Sequence, residues 1–141
     1  TGINGKLSEY HAAVGLVNLE RMDNVLEHRA ALFELYRSGL KDIVELPEWH
    51  SKATLNGAYM PIKMRSSEKA KQLINKLADN NIQSRAYFSP ALNSVFTDCI
   101  SYGTPNSDEV VDGILCLPLH IDMAKEDVIT VIENIKKSGA L

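Results

Sequence analysis

The first residues that could do chemistry stand in a glycine-flanked loop at the start of the chain. Asn4 lies between two glycines, Lys6 follows it, and Ser8 is a good N-cap for the helical pattern that comes next. A side-chain amide and an ammonium group just before a helix N-terminus can donate hydrogen bonds to an anion, because a glycine-rich loop lets the donors come close. From these residues alone, two alternatives stay open: Asn4 as a turn residue without a ligand, and Lys6 as a solvated loop lysine.

A second candidate group lies in residues 82–90, which alternate like a β-strand until Pro90 breaks the pattern. The phenol of Tyr87 could hydrogen-bond a hydroxyl or a phosphate group, and Phe88 and Ser89 follow it as further candidates. The alternative for Tyr87 is an ordinary strand aromatic. We expect the side chain of Arg85 to face the opposite way from that of Tyr87.

Other functional classes find little support in the composition. The four histidines, His11, His28, His50 and His120, are far apart, so their spacing predicts no metal site. The net charge of -3 over 141 residues gives no basic surface for nucleic acid. No apolar run reaches the ~20 residues that a membrane span needs. The two cysteines make no disulfide framework, and we expect a cytoplasmic protein.

The element that carries the glycine-flanked loop is a long helical pattern from Glu9 to about Leu40. About 30 residues would extend roughly 45 Å, which exceeds the radius of gyration of about 14 Å for a domain of this size. We therefore expect a break near Asp23-Asn24. Residues 9–20 are apolar nearly all round, which is typical of a helix buried on every side. This part should pack against another domain or subunit that the chain lacks.

The remaining pattern alternates between short strands and helices. Strands are predicted at residues 43–46, 58–64, 82–87 and 114–117, and helices at about 67–79, 107–111 and 125–137. This order predicts a two-layer α+β fold, with a small, mostly antiparallel sheet and helices on one face, led by the long N-terminal helix. Residues 1–40 would form the loop and the linking helix, and residues 41–141 a C-terminal small domain. Ala124 stands where the last helix needs a cap, so that cap is missing.

Three ordered segments carry a resemblance to one family. The first segment is the run Gly2-Ile3-Asn4-Gly5-Lys6-Leu7-Ser8-Glu9, followed by Ala12-Ala13-Val14-Gly15-Leu16. It resembles the family's signature Gly-x-Asn-x-Arg/Lys-Leu/Met-Ser/Thr-Glu/Asp, followed by Ala-Ala and Gly-Leu. Residues 82–90 look like the stretch that returns a strand to the active site. The segment Cys116-Leu117-Pro118-Leu119-His120, with Met123 and residues 126–128, looks like the C-terminal Leu-Pro-Leu-His motif. The family is that of the DegT/DnrJ/EryC1/StrS aminotransferases, which have the aspartate-aminotransferase fold.

The resemblance implies an enzyme that uses pyridoxal phosphate (PLP) to transfer an amino group, typically from glutamate, to a keto group on a nucleotide-linked deoxysugar. It implies a homodimer through the N-terminal helix region, in which Asn4 reaches the PLP phosphate of the neighbouring subunit. Lys6 matches a position that is usually Arg and would add positive charge near a phosphate. Tyr87, with Phe88 and Ser89, matches positions near the sugar substrate. Products of such enzymes feed the synthesis of surface polysaccharides, glycoproteins or antibiotics.

Only the last third of such an enzyme is matched, and the sequence starts at Thr1 rather than Met. We therefore expect a C-terminal portion without the lysine that binds the cofactor covalently, without catalytic residues, and without bound cofactor or activity by itself. Two alternatives remain open. One is a non-catalytic dimerisation or binding module, and the other is a sugar dehydratase of the same family. The residue that separates aminotransferase from dehydratase would lie upstream of Thr1.

Overall fold

The computed structural model describes residues 2, 5–87, 89–100 and 102–139. Its helices are α1 (Glu9–Glu20), α2 (Met22–Leu40), α3 (Ser67–Asp79), α4 (Leu92–Val95), α5 (Pro105–Val110) and α6 (Lys125–Lys137). Its strands are β1 (Met60–Lys63) and β2 (Ile114–Leu117). Among the described helices, none combines the length and the apolar character that crossing a membrane requires.

The long N-terminal helical pattern forms two helices, as predicted, but the break falls at Arg21 rather than at Asp23-Asn24. The N–H of Arg21 donates to the carbonyl of Asn18 at 3.1 Å, so the chain tightens there before α2 begins. Ser8 caps α1, since its Oγ accepts from the N–H of His11 at 3.3 Å. Helix α1 packs against α2 and contributes no buried residue.

The core lies between the second half of α2, α3, α6 and the sheet. Its fully buried side chains come from all four of these parts: Leu32, Phe33, Tyr36, Leu40, Met60, Ile62, Leu73, Leu77, Leu115, Val128 and Ile135. The second half of α2 is therefore part of the hydrophobic core, while α1 stays outside it. This asymmetry leaves the apolar residues of α1 exposed to solvent.

The sheet is a two-stranded antiparallel ladder in which Met60 pairs with Leu117 and Lys63 pairs with Ile114. This confirms the α+β class and the two central strands. The predicted strands at 43–46 and 82–87 are wrong in extent, because each contributes one bridge only, Glu45 with Lys63 and Arg85 with Cys116. A turn over residues 41–43 precedes the Glu45 bridge, and a turn at Tyr87 follows the Arg85 bridge, so neither segment extends into a longer ladder.

Helix α6 has the predicted bounds, and its capping differs from the usual pattern. Ala124 has no side-chain acceptor to offer at the cap position. The Asp127 carboxylate instead accepts a hydrogen bond from the N–H of Ala124 at 2.8 Å, which satisfies one donor at this end. The predicted helix at 107–111 starts earlier, at Pro105, because proline suits the first turn of a helix.

Candidate functional site

The described residues form a cleft beside the C-terminal end of β2, which we call the Tyr87 cleft. Its volume is about 540 Å³, which lies in the range of small-molecule sites. One wall comes from the segment after α3, residues 81–87, and the other from residues 116–120 and the N-terminal half of α6. Its polar side chains are those of Tyr59, Asn81, Gln83, Arg85, Tyr87, His120, Asp127 and Thr130.

Backbone pairing places Tyr87 at this cleft. The N–H of Arg85 donates to the carbonyl of Cys116 at 3.0 Å, and the N–H of Cys116 donates back to Arg85 at 2.7 Å. The chain then turns, since the N–H of Tyr87 donates to the same Arg85 carbonyl at 3.1 Å. Arg85 is therefore fixed to the outer edge of β2, and Tyr87 is held one tight turn away from it.

The side chains of this turn contact one another. The rings of Tyr59 and Tyr87 meet edge to face, with centroids 5.8 Å apart and an angle of 84° between the planes. The Arg85 guanidinium donates a hydrogen bond to the Tyr87 hydroxyl and lies 5.6 Å from the Tyr87 ring centroid. This hydrogen bond raises the pKa of Arg85 above its ordinary value. The Arg85 cation is thus stabilised beside a phenol.

The expectation that Arg85 and Tyr87 face opposite ways is therefore wrong. Residues two apart in an extended segment point to the same side, and the turn brings the two side chains closer still. The sequence contained the signal for a second polar group in this site, in the spacing of an arginine two positions before the tyrosine. Tyr59 was missed as well, because it precedes β1 and meets Tyr87 only through the folded sheet.

The predicted site residues fall in different places. Tyr87 is half-buried and lines the cleft. Ser89 is exposed, and its hydroxyl donates to Asp112 Oδ1 at 3.3 Å rather than lining the cleft. Lys6 is exposed in the loop before α1 and is not among the residues that line the cleft. Asn4 and Phe88 lie outside the described residues.

Two structural contacts hold the cleft wall formed by residues 117–123. The hydroxyl of Tyr36, in the core, donates to the Pro118 carbonyl at 3.0 Å. Burial raises the pKa of Tyr36 well above its ordinary value, with a further contribution from the negative charge of Asp127. Nε2 of His28 lies 2.9 Å from the Met123 carbonyl and joins α2 to the turn before α6. The wall is thus anchored to the core helix at both ends.

The thiol of Cys116 is also on this wall, but its chemistry is that of a buried side chain. Burial raises the pKa of Cys116, so the thiol stays protonated and is a poor nucleophile. Among the described residues, no group of three His, Cys, Asp or Glu side chains could hold a metal ion. The Tyr87 cleft therefore offers binding groups rather than a nucleophile or a metal centre.

A second cleft, of about 710 Å³, surrounds Lys63 at the C-terminal end of β1. The Lys63 ammonium lies 3.4 Å from Glu45 and 3.1 Å from Glu109. The hydrogen bond to Glu109 is the main cause of a raised pKa at Lys63. The acidic residues that line this cleft outnumber its cations, Lys41, Lys63 and Arg65, so the cleft does not attract an anion. The Lys63 ammonium instead joins Glu45, in the segment before β1, to Glu109, in α5.

The described residues fit part of a PLP site. Lys6 is exposed, cationic and placed just before the N-terminus of a 12-residue helix, an arrangement that suits a phosphate group. The described residues that line the Tyr87 cleft include no lysine, so this cleft does not supply covalent attachment of a cofactor. The described residues thus combine an exposed cation before a helix N-terminus with a polar cleft whose lining includes no lysine.

The comparison with known proteins supports one family throughout. The model of the DegT/DnrJ/EryC1/StrS aminotransferase family matches residues 1–136. A dTDP-4-amino-4,6-dideoxy-D-glucose transaminase of Shigella dysenteriae is 32% identical over 146 residues, covering 96% of this chain and 39% of that protein. A transaminase of the same name from Escherichia coli is 33% identical over 142 residues, covering 92% and 38%. The chain therefore spans about two-fifths of the length of these relatives.

Solved structures agree on the fold. A DegT/DnrJ/EryC1/StrS aminotransferase from Brucella abortus superposes with a TM-score of 0.85 at 27% identity, covering 96% of this chain and 36% of that one. Spr1654 from Streptococcus pneumoniae, solved in its PLP form, superposes with a TM-score of 0.82 at 23% identity, covering 96% and 37%, and shows the fold alone. The ordered sequence motifs, the α+β fold and the family match over residues 1–136 lead to the same conclusion. The chain belongs to the DegT/DnrJ/EryC1/StrS family of PLP-dependent sugar aminotransferases.

Proposed function

We propose that the full-length protein transfers an amino group from glutamate to the keto group of a nucleotide-linked deoxysugar. Glutamate leaves as 2-oxoglutarate, and the keto oxygen of the sugar is replaced by an amine. The observation that carries this proposal is the family match over residues 1–136, together with two relatives above 30% identity that are both dTDP-sugar transaminases. Bound PLP would supply the group that holds the amine between the two substrates.

The chain would contribute the small domain of this enzyme, as residues 41–141, and a linking segment, as residues 1–40. It spans 39% and 38% of the two relatives, and we infer that the covalent cofactor lysine lies in a part not included here. In this proposal Asn4 and Lys6 bind the PLP phosphate of the neighbouring subunit. The exposed ammonium of Lys6 before α1 supports this role.

Tyr87 would form the substrate wall, while the Ser89 hydroxyl, which donates to Asp112 outside the cleft, would not line it. The Tyr87 hydroxyl is a hydrogen-bonding group at a cleft of suitable volume, and the Tyr87 ring is fixed by Tyr59. Arg85 gives this part of the cleft a positive charge, which suits a substrate that carries phosphate groups. These features support sugar or diphosphate binding at the cleft.

The homodimer would form through α1. This helix is apolar nearly all round and contributes no buried residue, with Tyr10, Leu16 and Leu19 exposed by 76%, 63% and 65%. Exposed apolar surface of this extent marks an interaction site. A reducing cytoplasm suits the two free cysteines, Cys99 and Cys116.

The test uses the full-length protein with PLP, glutamate and a dTDP-linked 4-keto-6-deoxy sugar. We expect formation of 2-oxoglutarate and of a sugar whose mass corresponds to replacement of the keto oxygen by an amine. A Tyr87→Phe variant should lose about 3- to 10-fold in kcat/KM, the value of one neutral hydrogen bond. Tyr102→Phe, at a tyrosine that is 96% exposed, is the matched control and should match the wild type.

Two other results would overturn the proposal. A deoxygenated sugar product without added nitrogen would identify a dehydratase. A full-length protein that binds no PLP and consumes neither substrate would identify a non-catalytic binding module.

A further inference from the structure

We propose that Arg85 is a positioning residue that fixes the direction in which the Tyr87 hydroxyl donates its hydrogen bond. The inference deepens the proposed function, because it concerns how Tyr87 meets the substrate. It rests on the contacts of Arg85, whose backbone and side chain are both tied to this site.

The backbone of Arg85 gives its side chain a fixed origin. Both hydrogen bonds of the bridge with Cys116 are present, at 3.0 and 2.7 Å, so Arg85 cannot shift along the edge of β2 without breaking them. The Arg85 carbonyl also accepts a hydrogen bond from the N–H of Tyr87, which sets the distance between the backbones of these two residues. Because both backbones are held in place, the Arg85 guanidinium can keep a constant position relative to the Tyr87 hydroxyl.

The chemistry of the guanidinium then determines the role of the phenol. A guanidinium has only donors, so its hydrogen bond with Tyr87 must use a lone pair of the phenol oxygen. The hydroxyl proton must therefore point away from Arg85. The Tyr59 ring, packed edge-on against the Tyr87 ring, limits rotation of that ring. Tyr87 is thus prepared as a donor to an acceptor oxygen in the cleft.

The charge of Arg85 strengthens the same preference. No carboxylate is paired with Arg85 among the described ion pairs, which involve Arg37, Lys63 and Lys137. A cation without such a partner favours electron-rich acceptors nearby. The group that Tyr87 meets is therefore a sugar hydroxyl oxygen acting as acceptor, or a phosphate oxygen, rather than a donor.

A lysine at this position would not do the same. The planar guanidinium both donates to the hydroxyl and lies 5.6 Å from the Tyr87 ring centroid, so it contacts the phenol in two ways. A lysine keeps the charge but has a flexible stem and no planar fork. Arg85→Lys therefore separates the effect of charge from the effect of geometry.

The first test is spectroscopic and needs no substrate. The chain is labelled with ¹³C-tyrosine, and the Tyr87 ring signals are assigned from their loss in Tyr87→Phe. Arg85→Met should shift the Tyr87 ring signals and leave those of Tyr102 in place, while Arg65→Met, at an exposed arginine elsewhere, should shift neither. If Arg85→Met fails to fold by circular dichroism, Arg85→Ala, which also lacks a donor at this position, is read in the same way. Tyr87 signals at their wild-type positions in the folded variant would overturn the proposal.

The second test is a double-mutant cycle in the full-length enzyme. If Arg85 acts through Tyr87, then Arg85→Met lowers kcat/KM about as much as Tyr87→Phe, and the double variant is within about twofold of Tyr87→Phe alone. Losses that multiply in the double variant would show that Arg85 acts independently and would overturn the positioning role. A wild-type enzyme without amino transfer would contradict the proposed function instead, and the spectroscopic test would then decide the role of Arg85 by itself.

Discussion

Removal of one buried hydroxyl, in Tyr36→Phe, tests how the cleft wall is held. Tyr36 is fully buried, and its hydroxyl donates to the Pro118 carbonyl at 3.0 Å. Phenylalanine keeps the ring and its packing but leaves that carbonyl without its partner. An unpaired buried polar group costs about 1–3 kcal/mol, so we expect the free energy of unfolding to fall by about 1–2 kcal/mol near neutral pH.

The same substitution has a second, pH-dependent consequence. Burial raises the pKa of Tyr36 in the folded state above its value of about 10 in the unfolded chain. The neutral phenol is therefore favoured by folding, and its contribution is complete below about pH 10 and is lost as the pH rises toward the folded-state pKa. A difference of one bound proton between the folded and unfolded states changes the free energy of unfolding by about 1.4 kcal/mol per pH unit in that window. Because the unfolded phenol is only half ionised at pH 10, the wild type should lose about 1 kcal/mol more than Tyr36→Phe between about pH 10 and 11.

The assay is urea unfolding followed by far-ultraviolet circular dichroism, at neutral pH and in the alkaline window. Tyr102→Phe is the control, because it removes a hydroxyl from a side chain that is 96% exposed. Equal stability of Tyr36→Phe and wild type at neutral pH would refute the role of the Pro118 contact. An equal alkaline loss in both proteins would refute the burial argument.

Three other substitutions test separate parts of the fold. Leu16→Lys, on the exposed face of α1, should lower the self-association of the chain in sedimentation velocity without changing its helix content, and a wild type that sediments as a monomer would contradict the interface. Ala124→Ser should raise the free energy of unfolding by about 0.5–1 kcal/mol, because the cap position already has extended backbone angles of -83° and 164°; an unchanged urea midpoint would mean that Asp127 satisfies this end fully. Gly57→Ala should cost at least about 2 kcal/mol, because φ is +59° and a Cβ would stand 2.7 Å from the Cβ of Arg29. Gly103→Ala, at φ +86° with open space around it, should cost less in the same thermal or urea unfolding experiment, and equal losses would contradict the steric argument.

Elements with strong local signals could be predicted from the sequence. The bounds of α6 follow from its apolar spacing and its terminal lysines, and Ser66 caps α3 by accepting from the N–H of Lys69 at 3.3 Å. The break between α1 and α2 was predicted from length but placed two residues late. Asp23 and Asn24 are typical capping residues, yet the turn forms where the N–H of Arg21 reaches back to the Asn18 carbonyl.

Elements that depend on distant partners were less predictable. Residues 82–87 have the alternation of a strand, but the N–H of Tyr87 turns back to Arg85 and only one bridge forms. The contact between Tyr59 and Tyr87 joins two segments that are far apart in sequence, and no local pattern indicates it. The cleft could therefore be anticipated at Tyr87 alone. Arg85 could have been added from its spacing two residues before Tyr87, while Tyr59 required the folded sheet.

Amino transfer from glutamate is tested most directly by following the nitrogen atom itself. The full-length protein is incubated with PLP, ¹⁵N-glutamate and a dTDP-linked 4-keto-6-deoxy sugar, and the sugar product is analysed by mass spectrometry. We predict that the ¹⁵N label appears in an amino sugar in amounts equal to the 2-oxoglutarate formed. A sugar product without ¹⁵N, or 2-oxoglutarate formed without an amino sugar, would contradict amino transfer from glutamate to the sugar.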